Sequence, residues 1–279
     1  MENLQEERWL AIELAVRGGE MIQTALSSAR SPEAIGRRWS RARHTEIKTK
    51  IDKDVDDMLR GEIQRAFLDD AILSEENAPR EGKSGRVWVI DPIDGTLNLQ
   101  DPLFGTFGVC VALAVDNVPV LGVVFSPDVR AGRGGRIWIG EEGKQALYSP
   151  DYPNVEPTGT HVSDCAIRNH AIGAFDSGKH DRAVVYPYVK KLDHDTAGVT
   201  CVYRIASASM SLAAVATGDW DFYGATSAES EDLSAMVPIL KGTGAVVTTL
   251  DGRPWTIKEP SILTANSVLH GDLLQYLNS

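Results

Sequence analysis

Apolar side chains recur at the spacing of one helical face over residues 4–29, where Leu10, Leu14, Met21 and Ala25 are flanked by Ile22 and Leu26. The pattern predicts a long amphipathic helix, mildly interrupted at Gly18-Gly19. Residues 30–46 are basic and irregular, with Ser31-Pro32 as a breaker. They are expected as a loop, either a lid beside a site or a solvated connection. After Lys48-Thr49-Lys50-Ile51-Asp52, the residues Val55, Leu59, Ile63 and Phe67 recur every fourth position and predict a second helix beginning at Asp52. Ala71 to Ser74 reads as a strand that ends in Glu75-Glu76, and Val87 to Ile90 is an unbroken apolar run, the signature of a strand buried on both faces.

The pattern then turns to β. Phe107–Val115 and Val118–Phe125, joined by Asp116-Asn117, form one hairpin, and Arg136–Ile139 with Gln145–Tyr148 a second. Residues 149–160 hold Pro150, Pro153, Pro157 and Gly159 and are expected as a junction. Beyond it, strands at His170–Phe175, Val202–Ile205, Asp219–Tyr223, Val246-Val247 and Ser261–Ala265 alternate with helices. The helices fall at Tyr186–Leu192, at Ser207–Thr217, from Glu231-Asp232 to Gly242 with a kink at Pro238, and at Asp272–Leu277.

Composition narrows the function. The net charge is −11 and no basic run exceeds two residues, which argues against a nucleic acid polymer or an anionic membrane surface as partner. No apolar run approaches a membrane span and the N-terminus is acidic, so the expected location is the cytoplasm. The three cysteines, Cys110, Cys165 and Cys201, are unclustered and indicate neither a disulfide framework nor a zinc site. The six histidines are scattered, and no serine, cysteine or histidine nucleophile has a partner in view.

The chemistry concentrates in Trp88-Val-Ile-Asp91-Pro92-Ile93-Asp94-Gly95-Thr96-Leu97-Asn98. Pro92 forces Asp91 into an extended conformation and turns the chain out of the sheet, so Asp91 and Asp94 converge on one side of a tight turn. Gly95 lets the backbone approach a ligand, and Thr96 adds a hydroxyl. Converging carboxylates beside open amides suit a hard divalent cation carrying a phosphate. The same letters also fit a surface turn with Asx-type bonds. Asp52, at the expected start of the second helix, fits a helix cap.

Leu73-Ser-Glu75-Glu76 followed by Asp91-Pro-Ile-Asp94-Gly-Thr96 resembles the first signature of the inositol monophosphatase superfamily, Mg²⁺-dependent and Li⁺-sensitive phosphatases. Thr49-Lys-Ile-Asp52, Ala206-Ser207-Ala208, Val215-Ala-Thr-Gly218-Asp-Trp-Asp221 and Ser261 to Asn266 extend the resemblance over nearly the whole chain. The second signature departs from the pattern, because Glu231 stands where a tryptophan usually precedes the aspartate, here Asp232.

The resemblance implies a layered α+β and α/β sandwich with alternating α-β-α-β-α layers. Residues 1–150 would form an α+β half with an antiparallel sheet and the metal site, and residues 151–279 an α/β half that completes the metal and substrate sites. It implies two to three Mg²⁺ ions. Glu75, Asp91 and the Ile93 carbonyl would hold the first, Asp91, Asp94 and Asp232 the second, and Glu75 a weaker third. Thr96, bonded to Asp52, would position the attacking water, making Thr96, Asp52 and Glu75 the catalytic set. The amides of Gly95 and Thr96 would take phosphate oxygens, and family members are often homodimers.

The family's inositol phosphatases place a substrate-binding glutamate seven positions before the second-signature aspartate, and this chain has Ala225 there. Ser207, Ala225, Glu229 and Glu231 are therefore the expected substrate-binding positions. The two glutamates either face the leaving group, where they would suit an amine or imidazolium, or are solvated. The expected substrate is a small phosphorylated metabolite, inositol-phosphate-like or a related polyol or sugar phosphate. Histidinol phosphate and 3′-nucleotide or sugar bisphosphates are the alternatives, and an inactive phospholigand-binding relative is the alternative of another class.

Overall fold

The computed structural model describes residues 3–29, 41–100, 106–176, 182–194 and 197–279. Two helices open the chain, α1 (Gln5–Ala29) and α2 (Arg41–Ala66). They pack on one face of a seven-stranded sheet. Its strands run in sequence order: β1 (Ala71–Ser74), β2 (Arg86–Asp94), β3 (Gly108–Val115), β4 (Val118–Pro127), β5 (Gly135–Glu141), β6 (Leu147–Tyr152) and β7 (Thr158–Gly159). β1 and β2 are parallel and every later neighbour is antiparallel. The expected hairpin at Asp116-Asn117 is present, with both residues at positive φ, as a two-residue turn between twisted strands requires.

Alternation along these strands supplies two cores. Trp88, Ile90, Val109, Val111, Val123 and Phe125 face α1 and α2, where Leu14, Ile22, Val55, Leu59 and Ile63 are completely buried. Val89, Cys110, Ala112, Val124 and Trp138 face the opposite way, onto α4 (Ala208–Ala216) and α6 (Met236–Gly242). Gly122 and Gly140, cross-strand partners on β4 and β5, leave the room for that contact. A Cβ at Gly122 would lie 1.9 Å from the Ala235 carbonyl oxygen.

The second sheet has five strands in the order β11 (Val246–Thr248), β12 (Ile262–Ala265), β10 (Phe222–Ala225), β8 (Ile172–Asp176) and β9 (Cys201–Tyr203). Ala174, Tyr223 and Ala225 point into the same core as α4 and α6. Phe175, Phe222 and Leu263 point outward onto α3 (Arg182–His194) and α7 (Ser267–Leu277). The order of layers is thus α-β-α-β-α, as expected. No helix among the described residues is long and apolar enough to cross a membrane.

Several element boundaries differ from expectation. Helix α2 begins at Arg41, so Asp52 is an interior helical residue and not a cap. Charged side chains in Arg41–Lys50 carry no apolar stripe, but nothing there breaks a helix. The rest of the expected loop, residues 30–40, lies outside the described residues. The proline-bearing junction at 149–160 carries β6 and β7, where Pro150 is accommodated in a strand near the sheet edge. The helix expected from Glu231 to Gly242 is broken at Ser234-Ala235 into α5 (Ser230–Leu233) and α6. Pro238 lacks the N–H that would bond the Ser234 carbonyl, and its ring crowds that group. The last helix starts earlier than expected, at Ser267, because the Asn266 side chain accepts from the N–H groups of Val268 and Leu269.

Candidate metal and phosphate site

Three elements bring the acids together. Asp91 and Asp94 sit at the end of β2, where the pairing to β3 is irregular between them. Glu75 follows β1, the parallel neighbour of β2. Asp232 rides on α5, which packs against β2. Carboxylate oxygens of Glu75, Asp91 and Asp232 all lie within 4.8 Å of one another.

Asp91 is completely buried. Its Oδ1 accepts from the Ile93 N–H at 2.8 Å, whereas Oδ2 has no hydrogen-bond partner and no access to solvent. Burial, then the charges of Asp232, Asp94 and Glu75, push its carboxyl well above the ordinary range. A buried carboxylate oxygen left bare beside two other acids is costly unless a cation completes it. Among the described residues the lining contains no lysine, arginine or histidine, and the donors there are all oxygen, the set that suits Mg²⁺ rather than zinc.

Asp94 is held differently. Its Oδ2 accepts from the Ser207 hydroxyl at 2.6 Å, from the Ser209 N–H at 2.7 Å and from the Ser209 hydroxyl, while the Ala208 N–H approaches Oδ1 at 3.3 Å. These donors oppose the upward push of burial on its carboxyl. Oδ1 keeps acceptor capacity on the side of the cavity that Asp94 lines. Ser207 is also the N-cap of α4, accepting from the Met210 N–H at 3.2 Å.

The turn after Asp94 depends on glycine. Gly95 has φ +88°, and a Cβ there would meet Ser207 Cβ and the Thr106 carbonyl oxygen, each at 2.8 Å. Asn98 fixes the 3-10 turn Thr96–Gln100 by donating to the Thr106 and Ile205 carbonyls, both at 2.7 Å. On the other side, buried Asp56 of α2 accepts from the Ser74 hydroxyl and the Asn77 amide, which fixes the chain on both sides of Glu75.

A cavity of about 420 Å³ opens over this cluster. Of the expected site residues, Glu75, Asp91, Ile93, Asp94, Gly95, Thr96, Ser207, Glu229 and Asp232 line it. Three do not. Asp52 is buried in α2, whose packing reaches the Thr96–Gln100 turn. Ala225 is buried behind the wall. Glu231 turns aside to accept from the Ser230 hydroxyl at 2.7 Å.

Two polar wall residues were not expected from the sequence, Asp176 and Tyr223. Burial raises the Asp176 carboxyl to about 6, against the opposing pull of Arg204 and of Tyr223. Burial and the nearby acids, Asp176 first, push the Tyr223 phenol well up, so it keeps its proton. Asp176 ends β8, and the carboxyl ends of parallel strands are where ligands gather in α/β sheets. That position is the one signal the sequence held for it.

A family model described as the inositol monophosphatase family matches residues 3–279. The chain belongs to the inositol monophosphatase family. The fructose-1,6-bisphosphatase/inositol-1-monophosphatase of Thermotoga maritima is 26% identical over 84% of this chain and 83% of its own length. The histidinol-phosphatase of Mycobacterium tuberculosis is 28% identical over 83% of this chain and 84% of its own. The inositol monophosphatase structure from Anabaena (Nostoc) sp. PCC 7120 superposes with a TM-score of 0.80 at 26% identity, covering 99% of this chain and 97% of that one. Inositol monophosphatase family members are hydrolases of phosphoric monoesters, and the acids clustered here are the ones that carry the resemblance in sequence.

Proposed function

We propose that this chain is a magnesium-dependent phosphatase that acts on the phosphate monoester of a small polyol or sugar. The observation that supports it best is the bare, buried Oδ2 of Asp91 inside a ring of carboxylates. Glu75, Asp91 and the Ile93 carbonyl would hold one cation, and Asp91, Asp94 and Asp232 a second. Bound there, Mg²⁺ would neutralise the phosphoryl oxygens and lower the pKa of a water.

The chain's own groups supply orientation. Ser207 and Ser209 fix the Asp94 carboxylate in one rotamer, so it meets a ligand without further ordering. The backbone of Gly95 and Thr96 comes to the cavity wall with no side chain in the way at position 95, and their amides would take phosphate oxygens. The Thr96 hydroxyl would orient the attacking water, with Asp52 supporting the Thr96 turn from α2. Glu229, which lines the cavity just before α5, would reach the alcohol portion of the ester. Lithium inhibition and a homodimeric assembly belong to the same reading.

A second reading takes histidinol phosphate as the substrate. It is favoured by a wall that offers Glu229 and Asp176 and, among the described residues, no basic side chain. Phosphate release from inositol, sugar, histidinol and nucleotide monophosphates, with Mg²⁺ and with EDTA, separates the two readings. Magnesium-dependent turnover led by a polyol or sugar phosphate is expected. Turnover that survives chelation, or no turnover of any ester, would overturn the proposal.

A further inference from the structure

Strands β8 and β10 are parallel neighbours, with Tyr223 opposite Ala174 and Ala225 opposite Asp176. Because side chains alternate along a strand, Tyr223, Ala225, Ala174 and Asp176 share the face turned toward α4 and the cavity. At the upper register position one strand brings a carboxylate and the other only a methyl, so the space over Ala225 belongs to Asp176. Both Asp176 and Tyr223 line the cavity, on the wall away from β1 and Glu75.

The Tyr223 hydroxyl is fully buried, and the polar group it faces is the Asp176 carboxylate, which lies just outside full hydrogen-bond geometry. The carboxylate nearest in influence is Asp176. A buried hydroxyl whose hydrogen bond is not fully made is costly, and such groups are usually completed by an ordered water or a ligand. Beside a carboxylate, which accepts only, Tyr223 offers a proton, so the pair presents one acceptor and one donor. An alcohol hydroxyl matches both at once. An ammonium or imidazolium matches only the acceptor and leaves the phenol proton unused.

We propose that Asp176 and Tyr223 form the subsite for the alcohol portion of the ester, and that this alcohol carries a free hydroxyl that donates to Asp176 and accepts from Tyr223. This rests on the phosphatase reading of the same cavity and assigns its substrate class as a hydroxyl-bearing phosphate. The carboxylate that recognises the leaving group then comes from the strand beside the one that carries Ala225.

The test is hydrolysis by the magnesium-loaded enzyme of myo-inositol 1-phosphate, glycerol 2-phosphate, histidinol phosphate and 4-nitrophenyl phosphate. The first two carry free hydroxyls, the third cationic groups without one, and the fourth neither. Wild type, Asp176→Asn and Tyr223→Phe are compared, together with thermal unfolding of the metal-free proteins. The ratio of kcat/KM for the hydroxyl-bearing esters to that for 4-nitrophenyl phosphate is expected to fall about 10- to 100-fold in both variants. Tyr223→Phe is expected to unfold at or above the wild-type temperature, because it deletes a buried hydroxyl that makes no full hydrogen bond in the metal-free protein.

A ratio that holds in either variant overturns the inference. So does a fall confined to histidinol phosphate, which would assign the pair to a cation, or a lower unfolding temperature for Tyr223→Phe, which would make its hydroxyl structural. Wild-type turnover of 4-nitrophenyl phosphate alone overturns this inference and leaves the phosphatase reading standing. Absence of turnover on all four esters overturns both.

Discussion

The Asp94 carboxylate closes the N-terminus of the helix that begins at Ala208, taking the Ser209 N–H at 2.7 Å and the Ser209 hydroxyl on the same oxygen. One acid thereby serves the fold and the site together. Ser209→Ala removes a buried donor to a carboxylate and is expected to destabilise the protein by about 1.5–3 kcal/mol in urea unfolding. Magnesium affinity should weaken with it, because Asp94 loses part of what orients it. Unchanged stability and unchanged affinity would show that the remaining donors suffice.

Asp91→Asn tests the cluster. The acids around Asp91 repel one another when no cation is present, so the metal-free variant is expected to unfold at a higher temperature than the metal-free wild type. The sign follows from linkage. A carboxyl whose folded pKa is raised makes the native state lose stability as pH rises above its unfolded pKa, and the amide removes that loss. Magnesium should raise the unfolding temperature of wild type and not of the variant.

Gly95→Ala places a Cβ against Ser207 and the Thr106 carbonyl at a backbone angle that L-residues rarely adopt. Destabilisation of about 1–3 kcal/mol is expected, with activity lost well beyond what reduced folding explains. Circular dichroism melts beside activity at a temperature where the variant is folded would separate the two effects.

Asp176 gives a pH dependence. With its folded carboxyl near 6 and an ordinary unfolded value of 3.8, it binds a proton more readily folded than unfolded. Its contribution to stability is therefore lost as pH rises from about 4 to about 6 and stays lost above. Metal-free Asp176→Asn should exceed wild type by up to about 3 kcal/mol above pH 6, with the gap closing below about pH 4. A gap independent of pH would contradict the assignment.

The acids at positions 91 and 94 were legible because a buried apolar strand running into Asp-Pro-Ile-Asp-Gly-Thr leaves the backbone few options, whereas Glu75 was legible only through the family resemblance. The hairpin at Asp116-Asn117 and the buried face of α2 were legible for a similar reason: period and turn chemistry agree locally. The start of α2 was not, because its first turns carry no apolar stripe to mark them. Nor were Asp176 and Ser209. Each is a single polar residue in an ordinary strand or helix, and its role exists only through a neighbour more than forty residues away, Tyr223 for one and Asp94 for the other. Asp232 was legible only as the aspartate of a second signature that departs from its pattern, and its place beside Asp91 is a product of packing.

The paired glycines on β4 and β5 have a consequence for the chemistry. Gly122 lets the Ala235 backbone, and Gly140 the Pro238-Ile239 backbone, sink onto the sheet just after Asp232, so the placing of Asp232 over β2 depends in part on the absence of two methyl groups from the facing surface of β4 and β5. A side chain as small as alanine at Gly122 would lift that segment and carry Asp232 with it. A cation held by Asp232 and Asp91 would therefore be bound more or less tightly according to a patch of backbone outside the cavity lining.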